Sequence, residues 1–158
     1  MDEGRRDQEI FTSLYETVYQ DLSRFALYTL KHRQDAEDVV SETAADAWYG
    51  FGGLLDLAAF RGWIFKILSV KCRRKLKEYV NKTVELPDDL ASQECFTEKL
   101  QVREAFAALS DEERLIVSMH VFAGYTSREI ARILHKKEGT VRSRESRALK
   151  KMGQMLGE

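Results

Sequence analysis

The sequence predicts an all-α protein made of two small helical bundles joined by a flexible linker, the second bundle containing a helix-turn-helix. Apolar residues recur at helical spacing along most of the chain, and no segment shows the alternation of a half-buried strand. The only proline is Pro87, so the segments on either side of it are free to form long helices. An acidic stretch without sustained periodicity surrounds that proline and predicts a linker over residues 83–99.

The first domain, residues 1–82, contains three predicted helices. Apolar residues at helical spacing predict helices over residues 8–31 and 35–50, the second with Asp35 as its N-cap. A glycine-rich break follows, and the pattern then predicts a third helix over residues 57–79. Together these helices carry enough apolar surface for one small bundle.

The second domain, residues 100–158, carries the clearest local signals. Capping boxes of the form S/T-x-x-E begin at Ser110 and at Thr126, and each predicts a helix start. Gly124 can adopt the left-handed turn that ends the first of these helices. The turn before the last helix carries His135, which adopts a left-handed conformation more easily than a branched residue. Two short helices followed by a helix rich in Arg, Ser and Lys are typical of a DNA-binding helix-turn-helix.

Charge is strongly segregated along the chain, although the net charge is only −1. Residues 66–82 hold seven basic groups and one acidic group, and residues 127–151 hold nine basic and three acidic groups. Residues 83–99, between them, hold one basic and five acidic groups. Two separate basic segments indicate two contacts with a polyanion such as nucleic acid, the alternative being two solvated helix faces.

Several motifs together resemble the bacterial sigma factors of the extracytoplasmic-function type. They are D-A-E-D-V-V-S-E at residues 35–42, F-R-G-W-I-F-K-I at 60–67, S-R-E-I-A at 127–131, E-G-T-V-R-S-R at 138–144 and R-A-L-K-K at 147–151. The resemblance implies a region 2-like domain over residues 1–82 that binds core RNA polymerase and the downstream promoter element and melts DNA. It also implies a region 4-like domain over residues 100–158 that binds the upstream element. Control by an anti-sigma factor is expected as well.

The resemblance assigns the last helix to the upstream promoter element. An Arg side chain can donate two hydrogen bonds to a guanine edge, and a well-placed pair contributes about 1–3 kcal/mol of discrimination. Val141 and Leu149 are expected in the core beneath this helix. The implied DNA contacts are Arg142, Ser143, Arg144, Ser146, Arg147 and Lys150.

The loop from Gly50 to Phe60 and the helix after it are assigned by resemblance to the downstream element and its melted strand. The loop would accept an extruded base, and basic side chains would attract phosphates. Aromatic residues here are alternatively core residues. Val70 stands where the family has Asn. The implied contacts are Phe60, Arg61, Trp63, Lys66, Val70, Lys71, Arg73 and Arg74.

An acidic face on the second helix is assigned by resemblance to core RNA polymerase. Its implied contacts are Asp38, Val39, Ser41 and Glu42, with Ser41 standing where the family has Gln. Asp38 and Glu42 are four residues apart and therefore share a helix face. The alternative is a solvated acidic face with no partner.

Other functional classes find little support in the sequence. The three histidines have no metal-ligand spacing with one another or with Cys72 and Cys95, and no phosphate-binding or nucleophile motif occurs, so we expect no enzyme, metal, cofactor or small-molecule substrate. No apolar run is long enough to cross a bilayer, and no signal peptide is apparent, which predicts a cytoplasmic protein without membrane insertion and with reduced thiols. The alternatives are a helix-turn-helix regulator that acts without polymerase and an interaction protein such as an anti-sigma factor.

Because the linker lacks apolar anchors, we also expect the two domains to be loosely connected.

Overall fold

The computed structural model of the protein describes residues 2–81 and 100–157. Over these residues it forms seven α-helices and two short 3-10 helices, which confirms the all-α prediction. The predicted linker over residues 83–99 lies outside the described residues. The helices are α1 (Asp2–Leu30), α2 (Arg33–Gly50), α3 (Phe60–Asn81), α4 (Leu100–Ala107), α5 (Asp111–Val121), α6 (Ser127–Leu134) and α7 (Glu138–Met155).

The first bundle consists of α1, α2 and α3, each of which packs against the other two. Fully buried side chains from α1 and α3 form its centre, among them Leu22, Phe25 and Phe65. Two 3-10 turns, Phe51–Gly53 and Leu57–Ala59, occupy the connection between α2 and α3. The connection is therefore a structured loop that holds the start of α3 against the end of α2.

The prediction that Asp35 caps α2 is wrong. The N-cap is His32, whose Nδ1 accepts a hydrogen bond of 3.2 Å from the backbone N–H of Asp35. The Asp35 carboxylate instead accepts a hydrogen bond from the hydroxyl of Tyr79 and lies 3.9 Å from the ammonium of Lys75, both on α3. Asp35 therefore ties the start of α2 to the end of α3, a contact that sequence spacing does not reveal.

The second bundle contains the predicted helix-turn-helix. Both capping boxes are formed, so α5 begins after Ser110 and α6 begins after Thr126. Gly124 has φ of 78° and His135 has φ of 55°, so both turns use the left-handed conformation that the sequence predicts. Lys137 precedes α7 and makes no side-chain cap. The first backbone N–H groups of α7 therefore donate no hydrogen bond to the side chain of Lys137.

The two bundles pack against each other through α5, which contacts both α1 and α3. Ile116 and Met119 of α5 are fully buried and belong to the same apolar core as Leu22 and Phe25 of the first bundle. The structure thus differs from the expectation of loosely connected domains. That expectation depended on the linker, whereas the association comes from helix faces far apart in sequence.

Candidate nucleic-acid and polymerase interfaces

The exposed face of α7 carries most of the side chains assigned to the upstream element. They are Arg142, Ser143, Ser146, Arg147 and Lys150. The guanidinium of Arg142 lies 2.6 Å from the carboxylate of Glu138, one turn earlier. Arg147 donates a long hydrogen bond of 3.5 Å to the carbonyl of Ser143. Because these contacts are exposed, each guanidinium can exchange its partner for a base or a phosphate.

Arg144 faces away from this surface. Its side chain is half-buried, and its guanidinium pairs with the Glu112 carboxylate of α5. The ammonium of Lys136 lies 2.6 Å from the same carboxylate. The structure therefore places Arg144 in the contact between α7 and α5 and not among the solvent-facing side chains of α7.

The expected core positions of α7 are only half correct. Val141 is fully buried, but Leu149 is 44% exposed, so its prediction as a core residue is wrong. Ala148, seven residues after Val141, is buried instead. Seven residues are close to two turns of an α-helix, so positions 141 and 148 share a face while position 149 lies about 100° away.

Glu145 is a buried carboxylate that holds the three helices of the helix-turn-helix together, and sequence analysis missed it. It accepts a hydrogen bond of 3.0 Å from the Ser127 hydroxyl of α6. Its other oxygen lies 3.2 Å from Nδ1 of His120 on α5. The orientation of α7 is therefore set partly by a polar contact at its centre. A buried Glu paired with polar groups is a recognisable signal only once the fold is known.

A strip along α3 presents Lys66, Val70 and Arg74 to solvent at intervals of four residues. Residues so spaced lie on one face of a helix. Arg73 is half-buried beside this strip. Lys71 is turned toward α2, where its ammonium lies 2.8 Å from the carboxylate of Asp46. Of the predicted cations between residues 66 and 74, Lys66 and Arg74 are therefore the most accessible to a nucleic-acid strand.

The aromatic residues near the loop between α2 and α3 divide into core and surface. Phe60 is buried in a cluster of rings and is not available to a base. Trp63 is half-buried, with its ring centroid 5.9 Å from that of Phe60. A Cβ at Gly50 would lie 3.2 Å from the Trp63 ring, so the close approach in this loop occurs at Gly50. Tyr49, which sequence analysis missed, is 88% exposed.

The proposed polymerase face lies on α2 in the first bundle. Asp38, Ser41 and Glu42 are exposed there, and the Asp38 carboxylate accepts a hydrogen bond of 2.9 Å from Gln34. Val39 is buried in the core, so it supports this face from behind and offers no side chain to a partner.

A groove between α1 and α2 adjoins this face. It has a volume of about 850 Å³, and Ser41 is among its lining residues. The α1 side of the groove carries Tyr15 and Tyr19, which sequence analysis did not single out. Partial burial and the neighbouring Tyr19 raise the pKa of Tyr15 to about 12.

Arg61, at the start of α3, makes a contact that sequence analysis did not anticipate. Its guanidinium lies 3.0 Å from the carboxylate of Asp21 and donates a hydrogen bond of 2.5 Å to the carbonyl of Phe122 in the second bundle. The same group sits 4.9 Å above the ring centroid of Phe65. Although it was assigned to the melted strand, Arg61 is engaged in contacts within the protein, and its side chain remains 43% exposed.

Comparison with known proteins gives a family match for each bundle. Residues 14–81 match the family described as Sigma-70 region 2, and residues 99–152 match the family described as Sigma-70, region 4. The chain is 29% identical over 155 residues to the ECF RNA polymerase sigma factor SigM of Mycobacterium tuberculosis, covering 96% of this chain and 79% of SigM. The chain belongs to the extracytoplasmic-function sigma factors. It is also 26% identical over 163 residues to SigX of Bacillus subtilis, covering 90% of this chain and 81% of SigX.

Two solved structures share this fold. The sigma factor RpoE of Bartonella quintana, determined in complex with the anti-sigma factor NepR, has a TM-score of 0.67 at 23% identity and covers 92% of this chain and 96% of its own. CnrH, determined in complex with the cytosolic domain of CnrY, has a TM-score of 0.65 at 22% identity and covers 94% of this chain and 88% of its own. At these identities the likeness establishes the fold.

The thiol of Cys72 is enclosed in the core of this sigma factor. It is fully buried, and burial raises its pKa well above the ordinary value. Because the thiolate is the reactive form, Cys72 is an inert structural residue. Cys95 lies outside the described residues.

Among residues 2–81 and 100–157, no group of three or more His, Cys, Asp or Glu side chains could hold a metal ion. No helix within those ranges is both long enough and apolar enough to span a membrane.

Proposed function

We propose that this alternative sigma factor binds core RNA polymerase through α2 and reads promoter DNA through two separate faces. The exposed face of α7 contacts the upstream element, and the strip on α3 contacts the melted strand of the downstream element. The protein acts in the cytoplasm by binding alone and carries out no covalent chemistry, because its proposed sites offer placed charges and hydrogen-bond donors.

The observation that carries this proposal is the presence of two exposed basic faces in different bundles of one small chain. Arg142 and Arg147 on α7 point into solvent with only local contacts. Lys66 and Arg74 on α3 are exposed on the other bundle. None of these four side chains is engaged in a buried ion pair. Their positive charges therefore remain available to phosphates.

The acidic face of α2 supports the assignment to polymerase. Asp38 and Glu42 lie one turn apart and are exposed, and Ser41 between them opens onto the groove beside α1. This combination of exposed carboxylates and an adjoining groove suits a basic, partly apolar helical partner. Core RNA polymerase is the partner that we assign to it.

Control by an anti-sigma factor forms part of the proposal. A sigma factor of similar fold, RpoE of Bartonella quintana, was solved in complex with the anti-sigma factor NepR. For the present chain, an anti-sigma factor would act by covering the α2 face or the basic faces.

Transcription by purified core RNA polymerase tests the proposal. The sigma factor, core enzyme and a library of promoter fragments should together give transcripts with defined start sites that disappear when the sigma factor is omitted. Tight binding to intact duplex by the sigma factor alone, without any association with core polymerase, would contradict the proposal and indicate a conventional helix-turn-helix regulator.

A matched pair of arginine variants tests the upstream assignment in the same assay. Arg147→Ala should weaken selection of the upstream element by about 1–3 kcal/mol if Arg147 pairs with a guanine edge. Arg144→Ala removes the same charge from the same helix but from its inner side, and it should preserve base preference. Equal loss of base preference in both variants would show that α7 supplies only diffuse charge.

A further inference from the structure

The inner face of α7 is apolar except at its centre. Its buried residues recur every three or four positions, so they form one stripe along the helix. They are Val141, Glu145, Ala148 and Met152. Glu145 is only 8% exposed, and burial of a carboxylate costs free energy unless its oxygens find partners. Apolar packing alone therefore does not account for a carboxylate in this stripe.

Each oxygen of the Glu145 carboxylate contacts a different helix. Oε2 accepts a hydrogen bond of 3.0 Å from the Ser127 hydroxyl of α6, and Oε1 lies 3.2 Å from Nδ1 of His120 on α5. The same Nδ1 lies 3.1 Å from the carbonyl oxygen of Tyr125, in the turn between α5 and α6. A carbonyl oxygen and an ionised carboxylate can only accept, so Nδ1 carries the hydrogen that it shares between them. The carboxylate thus links α7 to both other helices of the helix-turn-helix.

This contact lies on the helix segment that carries the proposed upstream contacts. Glu145 stands three residues after Arg142 and two residues before Arg147, and both arginines are exposed. A helix with its side chains has a radius of about 5–6 Å, so a rotation of about 10° moves an outer atom by about 1 Å. An N–H···O hydrogen bond tolerates only about 2.7–3.2 Å. Base reading by these arginines therefore requires a fixed rotation of α7.

The apolar part of the stripe specifies this rotation less sharply than the carboxylate does. Ala148 is small, and Met152 has a flexible side chain that adapts to irregular gaps. Hydrogen bonds are directional, because they weaken steeply once the angle at the hydrogen falls below about 120°. Two hydrogen bonds from two different helices to one carboxylate therefore restrain the rotation of α7 at its centre.

We propose that Glu145 is a positioning residue for promoter recognition. Together with Ser127 and His120 it sets the rotation of α7 at which the exposed arginines meet the bases of the upstream element. Glu145 itself touches no DNA. Its effect on base reading rests on the proposed function, whereas its control of the rotation of α7 does not.

Glu145→Leu separates positioning from stability. Leu leaves no buried charge, and both former partners keep access to water, because Ser127 is partly exposed and the His120 side chain is 49% exposed. Replacement of a buried ionic contact by an apolar side chain is often neutral or stabilising, so the thermal unfolding midpoint should stay the same or rise.

Base discrimination should nevertheless fall in Glu145→Leu. Transcription with core polymerase from promoters varied base by base across the upstream element measures the discrimination. We expect it to drop by about fivefold or more, which is equivalent to the loss of one arginine–guanine pair. Discrimination equal to that of the wild type would overturn the proposal.

Glu145→Gln is the conservative variant. The amide has the shape of the carboxylate, and its oxygen can accept from Nδ1 of His120 while its NH2 group donates to the Ser127 hydroxyl. The variant should therefore keep the discrimination of the wild type. A loss as large as that in Glu145→Leu would show that charge and not hydrogen-bond geometry is required, and would overturn the positioning role.

Ser127→Ala removes one of the two hydrogen bonds while leaving α6 intact. Alanine is the best helix former, and the capping box of α6 uses Thr126 and Glu129. The variant should lower discrimination in the wild type and have no further effect in Glu145→Leu, because the two changes break the same contact. Additive losses would show that Ser127 and Glu145 act independently and would overturn their shared role.

Met152→Ala is the control for loss of packing on the same stripe. It removes apolar contact from the inner face of α7 without touching the carboxylate, so it should lower the thermal unfolding midpoint and keep base discrimination. If Met152→Ala lowered discrimination as much as Glu145→Leu does, general loosening of α7 would explain both results, and the proposal would be wrong.

The rotation of α7 can also be measured without DNA or polymerase. In the full chain, residual dipolar couplings of the backbone N–H groups vary periodically along each helix and report how α7 is rotated relative to α5. The couplings of α7 should change in Glu145→Leu and stay the same in Glu145→Gln. Identical couplings in the wild type and Glu145→Leu would overturn the proposal.

The two kinds of measurement distinguish this proposal from the proposed function. If the couplings change as expected but the wild type directs no transcription with core polymerase, the proposed function fails while the positioning of α7 by Glu145 stands. If the wild type discriminates among upstream elements and Glu145→Leu does so equally well, the proposed function stands and the role of Glu145 fails.

Discussion

Val70 is 41% exposed on α3, one turn from Lys66 on one side and one turn from Arg74 on the other. A single exposed Val needs no special explanation by itself. Its position on the strip assigned to the melted strand, where the family has Asn, gives it a functional meaning. An apolar side chain can contact a thymine methyl group but cannot donate or accept the hydrogen bonds of an amide.

We expect Val70→Asn to change the base preference of the downstream element while altering the stability of the protein by less than about 0.5 kcal/mol, because the site is exposed. Transcription from promoters varied base by base across that element measures the preference. The control is Val80→Asn, since Val80 is 72% exposed near the end of the same helix. An unchanged base preference in Val70→Asn would remove Val70 from the DNA contact.

At the scale of the helix, the start of α5 combines a capping box with an interhelical ion pair. Glu113 accepts a hydrogen bond of 2.9 Å from the backbone N–H of Ser110, and its carboxylate lies 3.0 Å from the ammonium of Lys151 on α7. Partial burial pushes the pKa of Glu113 upward, but the Ser110 N–H and the Lys151 charge outweigh burial, and the net pKa lies below the ordinary value of 4.5.

A depressed pKa in the folded state means that the ionised carboxylate stabilises the fold. That stabilisation is fully present above the pKa of the unfolded chain and is lost as the pH falls through the folded pKa. We therefore expect Glu113→Gln to lower the thermal unfolding midpoint at pH 7, and the difference from the wild type to shrink as the pH falls below about 4.5. Calorimetry or circular dichroism from pH 7 to pH 3 measures this.

The control for this series is Glu138→Gln, whose carboxylate pairs with the exposed Arg142 one turn away. Exposed pairs at this spacing contribute about 0.3–0.5 kcal/mol, so its effect at pH 7 should be small. A pH-independent loss of stability in Glu113→Gln would show that the loss does not come from the carboxylate charge.

At the scale of the whole molecule, removal of the Tyr28 side chain should destabilise both bundles. Tyr28→Ala leaves a cavity between α1 and the second bundle, and truncation of a buried aromatic side chain costs about 3–5 kcal/mol. Urea unfolding measures the free energy, and hydrogen exchange measures whether α4 and α5 lose protection together with α1.

Tyr49→Ala is the matched control, since Tyr49 is 88% exposed and its removal should cost less than about 0.5 kcal/mol. If Tyr28→Ala lowered protection in α1 alone, the second bundle would not depend on α1. The contact of the Tyr28 ring with Phe106 and Phe122 would then be peripheral to the second bundle.

Local features were predicted well because their causes lie within a few residues. The capping boxes at Ser110 and Thr126, the left-handed turns at Gly124 and His135, and the exposed arginines Arg142 and Arg147 all follow from short-range hydrogen bonding and helical periodicity. The error at Leu149 has the same origin, because an apolar side chain one position from the core face looks like a core residue in sequence alone.

The sequence by itself determined that this chain is helical, that it has two basic segments and that it carries the motifs of a sigma factor. Only the tertiary structure decided which charges are free. Arg61, Lys71 and Arg144 match cations predicted to contact DNA, yet the fold pairs them with Phe122, Asp46 and Glu112. The physical reason is distance along the chain: partners more than 20 residues apart leave no periodic signal, and only packing brings them together.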